Sequence, residues 1–360
     1  MSDGADGETT PSRSRRWARQ GGIALISSVA LAPLLAEAAL RVSFRLEDAP
    51  TRAPALDADY EHDDFWILKQ RWAPEGRRVL PRRIHPTRGW SQVPVTPDDP
   101  LGLYKRSLEQ LRDGTRPKVL FYGDSYVAGM VRDVADMIPC YIDDRLPGTD
   151  VVHLGVPGYG TGQSYLMMRE TIGMADRPVV VMSAMVGDFG RATLRAREAQ
   201  KPRLVVERDG ALRVTNIPID EDPPRYFRET PLSFRSFALA ALRKRFGPEP
   251  EIITPEKEAL NRAILTEVRD TASERGARLL FVLFHPPGEF RRPDGRSEFF
   301  LRSCEDLGIE CIDTRPLFVA AMKASGARLR DFYREGHHNE RGNHVIGDAL
   351  LARLRELGVE

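Results

Sequence analysis

The sequence predicts an α/β fold built on a parallel sheet, and two observations carry that prediction. Five short apolar or β-branched runs follow one another from Lys118 onward, and stretches suited to helices separate them. Strands that alternate with helices favour a parallel sheet covered on both faces. The first run, Val119–Tyr122, ends in a glycine turn, which is typical of a buried strand of such a sheet.

The remaining elements follow in order along the chain. The predicted strands are Val119–Tyr122, Val151–Leu154, Val179–Met185, Arg278–Leu283 and Glu310–Asp313. The predicted helices are approximately Tyr104–Arg112, Val127–Arg145, Tyr165–Met174, Glu256–Arg275, Glu298–Leu307 and His344–Leu357.

Composition excludes some classes of function. The chain has 360 residues, with 53 basic and 52 acidic side chains and a formal net charge of +1. This balance gives no global field for nucleic acid, so no nucleic-acid partner is predicted. Three cysteines do not make a disulfide framework. Cys304 and Cys311 could pair in an exported domain, although a free buried cysteine is the commoner case.

The N-terminus predicts a membrane anchor. Residues 1–20 form a polar, arginine-rich tail, and residues 21–40 form an apolar segment whose only charge is Glu37. About 20 apolar residues match the thickness of a bilayer core, and the basic tail favours a cytoplasmic N-terminus. A cleaved signal peptide ending near Ala36-Glu37-Ala38 is the second interpretation, and a buried helix is the third. Both of the first two place the remainder outside the cytoplasm.

Two regions accompany the predicted sheet. Residues 41–117 are rich in Pro, Arg and Asp, and their aromatic residues predict a stalk that packs on the main domain of residues 118–360. Residues 191–250 interrupt the alternating pattern and predict an insertion over the active edge of the sheet, as a lid or substrate wall. Inside it, Arg203–Glu207 and Ala211–Thr215 predict a β-hairpin around a glycine turn.

The first candidate for chemistry is Ser125, in the sequence Gly123-Asp124-Ser125. A serine directly after a buried strand lies at the carboxyl edge of the sheet, where open α/β sheets bind their ligands. It is therefore either a nucleophile or the N-cap of the next helix. The turn alone leaves both interpretations open.

The second candidate is the glycine-rich loop of residues 155–163, GVPGYGTGQ. Gln163 stands where a dinucleotide-binding fingerprint would have its third glycine, and no phosphate-binding P-loop occurs. The loop is either a simple turn or a set of main-chain N–H groups facing a developing negative charge.

The third candidate is the stretch 334–344 before the last helix, which contains Glu335 and His337. A carboxylate near an imidazole can orient the ring and stabilise its charged form. A metal site that also used His338 and His344 would lack a recognised ligand spacing. We therefore predict neither a metal nor an organic cofactor.

These three places together resemble the SGNH (GDSL) hydrolase superfamily over approximately residues 118–360. The resemblance implies a flavodoxin-like three-layer α/β/α sandwich and hydrolysis or transfer of acyl esters. It implies that Ser125 is the nucleophile, that its N–H and that of Gly158 bind the oxyanion, and that His337 is the general base. Glu335 stands where the family usually has an Asp acid.

One departure from the family concerns the third oxyanion donor. Gly187 occupies the position of the family's Asn, and losing one such donor typically costs about 10²–10³ in rate. Asp188 cannot replace it while ionised, because a carboxylate only accepts hydrogen bonds. His285, after the fourth strand, is a possible substitute. Further candidates for substrate contacts are Asp124, Asp188, His285 and Asn339.

The sequence thus predicts a membrane-anchored, extracytoplasmic serine esterase that acts on O-acyl esters of an envelope glycan or lipid. Two alternatives remain at this point. One is an O-acyltransferase that modifies an extracytoplasmic polysaccharide through the same serine. The other is a catalytically degenerate glycan-binding protein, which the missing Asn donor favours.

Overall fold

The computed structural model describes residues 31–43, 56, 60–71, 83–249 and 251–360. The predicted cytoplasmic tail and the first half of the predicted membrane span lie outside these residues. The helices are 31–43 (α1), Asp63–Arg71 (α2), Lys105–Arg112 (α3), Ser125–Ala128 (α4), Ile138–Asp143 (α5), Thr161–Thr171 (α6), Asp188–Arg191 (α7), Pro223–Glu229 (α8), Phe237–Phe246 (α9), Pro255–Glu274 (α10), Arg296–Leu307 (α11), Thr314–Ser325 (α12) and Glu340–Glu356 (α13). The strands are Ile84–His85 (β1), Gly89–Trp90 (β2), Lys118–Tyr122 (β3), Asp150–His153 (β4), Val179–Met185 (β5), Arg203–Val206 (β6), Leu212–Thr215 (β7), Arg278–Phe284 (β8), Glu310–Asp313 (β9), Tyr333–Arg334 (β10) and His337–His338 (β11).

Five strands form the central sheet in the order β4-β3-β5-β8-β9, and every neighbouring pair is parallel. The predicted parallel sheet is therefore confirmed. This order is the 2-1-3-4-5 order of flavodoxin-like folds. In these folds the second strand is added on one side of the first strand, and the later strands are added on the other side. Ligands of such sheets bind at the carboxyl ends of the strands near that change of side, which here lies between β3 and β5.

Helices cover both faces of the sheet, and the alternation of each strand divides its side chains between them. On β3, Leu120 and Tyr122 pack on one side, whereas Val119 and Phe121 pack on the other. The first side is covered by α6, α10 and α11, and the second by α5, α12 and α13. Because both faces are buried at the centre of the sheet, β3, β5 and β8 are mostly apolar, which is why the sequence revealed them.

The predicted helix over Val127–Arg145 does not form as one element. The chain instead makes the four-residue α4, a 3₁₀ turn at Val134–Asp136 and then α5. Gly129 ends α4 with a φ of +71°, and Met130 then donates its N–H to the carbonyl of His338. This contact with a distant hairpin replaces helix continuation. Helix α12, which the pattern did not predict, follows β9 directly.

The residues before the sheet pack closely on it. Trp90, on the β1–β2 hairpin, is buried in the core that also contains α6 and α10. Helix α2 contacts the insertion, because Asp63 accepts hydrogen bonds from Arg195 and Asp64 from Ser233. The predicted hairpin of the insertion is present as β6 and β7, while α8 and α9 were not predicted.

Helix α1 contains the far end of the predicted membrane span and contacts the insertion. Glu37 accepts hydrogen bonds from Ser236 Oγ and from the main-chain N–H of Ala238, both at 2.8 Å, at the start of α9. Arg41 donates to the carbonyl of Arg235 at 2.9 Å and lies over the ring of Phe237. No helix in the described part of the chain is long and apolar enough to cross a membrane.

The three cysteines are free thiols in the structure. Cys304 is buried on α11, and Cys311 lies beside it on β9. The two thiols are close to each other, and a disulfide between Cys304 and Cys311 in an exported protein stays a prediction.

Candidate active site

Ser125 begins the short helix α4 at the carboxyl end of β3. The N-cap of that helix is Asp124, whose Oδ1 accepts the N–H of Tyr126 at 2.8 Å. A side chain at Gly123 would clash with Ser183 on β5, so glycine allows the turn to lie against the neighbouring strand. Since Asp124 does the capping, the hydroxyl of Ser125 is not used for it. The N-cap interpretation of Ser125 is therefore wrong, and its role as a nucleophile stays a prediction.

His337 lies on the β10–β11 hairpin, where its register partner is Arg334. The two-residue turn consists of Glu335 and Gly336, with φ of +48° and +82°, the left-handed pair that tight hairpins favour. Ser125 Oγ and His337 Nε2 are 2.8 Å apart, although 212 positions separate them in the sequence. Tyr126 fixes the hairpin, because its hydroxyl donates to the carbonyl of Gly336 at 2.6 Å.

The Glu335 carboxylate does not occupy the position that its predicted role as the acid requires. The partner of His337 Nδ1 is the main-chain carbonyl of Glu335, at 3.3 Å, and the Glu335 side chain is exposed. Glu335 is the first residue of the two-residue turn, and there its carbonyl contacts the ring that follows while its side chain is exposed. The carbonyl can still fix the tautomer in which Nδ1 carries the proton and Nε2 accepts one.

The loop after β4 brings Gly158 to the same cavity as Ser125 and His337. Gly158 has a φ of +85°, which suits glycine. The loop is held by the segment before the sheet, since Trp90 Nε1 donates to the carbonyl of Pro157 at 2.9 Å and Gln92 Nε2 to that of Gly155 at 2.5 Å. These contacts hold the loop at the cavity, and its role in binding an oxyanion stays a prediction.

Gly187 and Asp188 follow β5, and neither provides a hydrogen-bond donor side chain in the cavity. Asp188 is buried; its Oδ2 accepts the N–H of Met185 at 3.0 Å, and its Oδ1 accepts Arg191 Nη1 at 2.7 Å. The same Arg191 nitrogen lies 3.0 Å from Asp124 Oδ2. Burial, and then the nearby Asp124 carboxylate, raises the pKa of Asp188 above its usual range. Arg191 thus holds together two carboxylates that follow different strands.

The cavity has a volume of about 470 Å³ and lies at the carboxyl edge of the sheet. Its floor contains Ser125, Gly158 and His337. Residues of the segment before the sheet and of the insertion form its walls, and they include Arg83, Trp90, Gln92, Tyr104, Arg191, Arg197 and Glu198. The predicted stalk therefore contributes directly to the site, which the sequence did not show.

The chain is similar to solved esterases and acylhydrolases. No family model and no curated protein matches it. A lipase/acylhydrolase from Enterococcus faecalis has 15% identity and a TM-score of 0.39, covering 67% of this chain and 96% of its own. The acetyl xylan esterase AlAXEase has 14% identity and a TM-score of 0.40, covering 66% and 99%. A two-domain esterase active on acetylated mannans has 10% identity and a TM-score of 0.40, covering 71% of this chain and 53% of its own, about half its length. Likenesses this low carry no conclusion about activity or substrate.

The four candidates for substrate contacts have other partners in the structure. Asp124 and Asp188 bind Arg191, and Asn339 caps α13 by accepting the N–H of Gly342 at 3.1 Å. His285 is fully buried beside β9, with Nε2 at 2.7 Å from Asp313 Oδ1. It does not line the cavity and so does not replace the missing Asn donor.

The sequence did not identify the two arginines of the insertion that line the cavity, Arg191 and Arg197. The Arg197 side chain is mostly buried, and its buried Nε and Nη1 have no hydrogen-bond partner among the described residues. Burial, and then Arg191, lowers the pKa of Arg197 to about 10, so the side chain remains protonated at neutral pH. No periodicity or motif distinguishes these two from the many other arginines of the chain.

The described residues include no group of three or more His, Cys, Asp or Glu side chains arranged to hold a metal ion. His338, which the metal interpretation required, is fully buried among aromatic rings, including those of Tyr126 and Phe318. His344 instead pairs with Asp136 at 2.8 Å. The absence of a cofactor remains a prediction from the sequence.

Proposed function

We propose that this protein is a serine esterase of the SGNH type, which hydrolyses O-acyl esters through a covalent acyl-enzyme. The observation that carries the proposal is the 2.8 Å separation of Ser125 Oγ and His337 Nε2 at the carboxyl edge of a flavodoxin-like sheet. A nucleophile and a base within hydrogen-bond reach, with the base oriented by a third group, form the arrangement required for nucleophilic catalysis. Gly158 lies in the same cavity.

In the acylation step, His337 Nε2 takes the proton of Ser125 as Oγ bonds to the acyl carbon of the ester. The N–H groups of Ser125 and Gly158 stabilise the negative charge on the carbonyl oxygen. The C–O bond to the alcohol then breaks, and His337 returns the proton to the leaving alcohol. In the second step, His337 deprotonates a water molecule that attacks the acyl-enzyme, and Ser125 recovers its proton as the acid leaves.

The substrate class that we propose is an acyl ester on an envelope glycan or lipid. The cavity supports a small acyl group, because its volume is at the lower end of ligand pockets. Arginine, glutamate and glutamine side chains in its walls favour a polar alcohol portion over a bare hydrocarbon one. Transfer of the acyl group to a glycan hydroxyl would use the same Ser125 intermediate.

We also propose that residues 21–40 anchor the chain in a membrane, with the catalytic domain outside the cytoplasm. Exposed apolar side chains of α1 and α9 support this proposal. On α9, Leu239, Leu242 and Phe246 are 50%, 54% and 76% exposed and share one face. The last turn of α9 contains Arg243, Lys244 and Arg245, as is typical of helices that lie on anionic membranes. On α1, the exposed apolar residues are Leu31, Leu34, Leu35 and Val42.

The decisive experiment is labelling of the full chain with a fluorophosphonate probe in detergent, beside Ser125→Ala, His337→Ala and the control Ser325→Ala. Ser325 is an exposed serine at the end of α12. We expect labelling of the parent and of Ser325→Ala only. A folded parent that resists the probe would contradict the esterase and favour the glycan-binding alternative. If the parent is labelled, products formed with and without an added glycan acceptor separate hydrolysis from transfer.

A further inference from the structure

We propose that the guanidinium of Arg197 stabilises the oxyanion, in place of the side-chain donor that is missing at Gly187. The inference rests on the proposed esterase function and names the residue that completes its site. Arg197 belongs to the insertion and lines the same cavity as Ser125, Gly158 and His337.

The position of Arg197 relative to Gly158 is the first argument. A Cβ at position 158 would clash with Arg197 Nη1, so this nitrogen lies directly against the Cα of Gly158. The N–H of Gly158 is the second predicted oxyanion donor. The positive charge of Arg197 therefore lies beside the residue whose N–H is predicted to bind the oxyanion. Glycine at position 158 is required for this approach as well as for its φ of +85°.

The second argument is that the charge of Arg197 lacks hydrogen-bond partners. Neither Nε nor Nη1 has one in the described part of the chain, and the Glu198 carboxylate lies 3.6 Å from Nη1. Only 12% of the side-chain surface of Arg197 is exposed. A largely buried guanidinium in which two of the three nitrogens lack a hydrogen bond is unfavourable unless an anionic group satisfies them. An oxyanion that forms during the reaction is such a group, and it exists only when stabilisation accelerates the reaction.

The third argument is that Arg197 is held in place before substrate arrives. Its guanidinium lies 4.8 Å from the centroid of the Trp66 ring on α2, and its main-chain N–H donates to the carbonyl of Ala199 at 2.9 Å. A donor that is already oriented needs no reorganisation as the charge develops. The segment before the sheet thereby contributes to the site a second time, through Trp66.

Arg191, the other arginine in the cavity, is less suited to this role. Its Nη1 contacts the carboxylates of Asp124 and Asp188 and, at 3.3 Å, the carbonyl of Tyr159. Arg191 forms ion pairs with two carboxylates, whereas the one ion pair of Arg197 among the described residues is the longer contact with Glu198 at 3.6 Å. The two arginines therefore have different functions: Arg191 connects the turns that follow β3 and β5, and Arg197 stabilises the oxyanion.

The test compares Arg197→Gln and Arg197→Lys with the parent and with Arg208→Gln, the same change at an exposed arginine in the hairpin turn of the insertion. We expect Arg197→Gln to lower kcat for 4-nitrophenyl acetate by about 10²–10³, with KM changed little, because a transition-state donor is lost. Arg197→Lys retains the charge and should recover part of the rate. Thermal melting of each variant shows whether it is folded.

A second substrate, 4-nitrophenyl hemisuccinate, carries a carboxylate and distinguishes two sources of negative charge. If Arg197→Gln raises KM for this ester alone and leaves kcat for the acetate unchanged, Arg197 binds a substrate carboxylate and the oxyanion role is overturned. If the parent reacts and folded Arg197→Gln and Arg197→Lys react equally well, the inference fails alone. If a folded parent neither hydrolyses esters nor reacts with the fluorophosphonate, the proposed function fails and the inference fails with it.

Discussion

Arg191 Nη1 lies 3.0 Å from Asp124 Oδ2, and this contact ties the insertion to the turn that carries Ser125. Asp124 uses its other oxygen to cap the helix that begins with Ser125. The orientation of the candidate nucleophile therefore depends on a side chain 66 positions further along the sequence. Asp188 shares the same guanidinium nitrogen and is itself bonded to the main chain of β5.

Removing this guanidinium should destabilise the fold as well as the site. We expect Arg191→Gln to lower the free energy of unfolding by about 3–5 kcal/mol, because it leaves two buried carboxylates without a counter-charge. Adding Asp188→Asn removes one of those charges and should restore part of the stability. Urea unfolding measures the free energy of unfolding of the single and the double variant. The matched control is Arg213→Gln, an exposed pair with Glu207, for which about 1 kcal/mol or less is expected. Equal losses for the two single variants would contradict the argument.

The Glu335 carboxylate should contribute little to catalysis. His337 Nδ1 contacts the main-chain carbonyl of Glu335, which Glu335→Gln leaves in place. We expect this variant to keep kcat/KM within about tenfold of the parent, whereas loss of a true acid costs about 10⁴ in kcat. Steady-state hydrolysis gives kcat/KM of the variant and the parent, and the rate of fluorophosphonate labelling gives the reactivity of Ser125 in each. A loss of 10³-fold or more would show that the carboxylate reaches His337 during the reaction.

His338 should make the protein sensitive to acid. Burial lowers the pKa of His338 from 6.5 to about 3 in the folded chain. Between those values the unfolded chain binds a proton that the folded chain excludes, so stability is lost as the pH falls below 6.5. From pH 7 to pH 5 the loss from this group is about 2 kcal/mol.

His338→Phe, which suits the surrounding aromatic rings, should remove that part of the pH dependence. Urea unfolding at pH 7 and pH 5 measures it, with His62→Phe as the matched control at an exposed histidine. If His338→Phe loses as much stability between the two pH values as the parent, His338 is not the acid-sensitive group.

The exposed face of α9 should contact lipid when the chain is in a bilayer. We expect a nitroxide label on Leu242→Cys, in the full chain reconstituted into vesicles containing phosphatidylglycerol, to be more accessible to oxygen than to a water-soluble nickel complex. The physical reason is that an apolar face beside basic residues lies in the membrane interface. Val319→Cys on α12 is the matched control, because Val319 and Leu242 are both 54% exposed. Equal access of the nickel complex to both labels would exclude this contact.

Several parts of the site could be predicted because they depend on short stretches of sequence. The glycine turn after β3 and the glycine loop after β4 are local, and both follow apolar strands that are buried on two faces. Parallel strands bring such turns to one edge of the sheet, so Ser125 and Gly158 were expected to lie together. His337 was placed opposite Ser125 by the family resemblance, and the structure puts the two side chains in contact.

The missed features depend on contacts between distant parts of the chain. Helix α4 ends early because Met130 bonds to the carbonyl of His338, which no local propensity reveals. In the two-residue turn, the main-chain carbonyl of Glu335 contacts His337 Nδ1, whereas the spacing predicted a contact through the carboxylate.

The sequence by itself determined the five strands of the parallel sheet and the positions of the serine, glycine and histidine turns, because periodicity and glycine turns act over a few residues. Only the tertiary structure decided which charged groups enter the site. Arginines are common in this chain and most are exposed. Arg191 and Arg197 are mostly buried and also line the cavity, whereas the more deeply buried Arg88 and Arg296 do not line it. Burial is a property of the packed molecule: Trp66, Gly158 and the two buried aspartates must all be in place before either guanidinium has its environment.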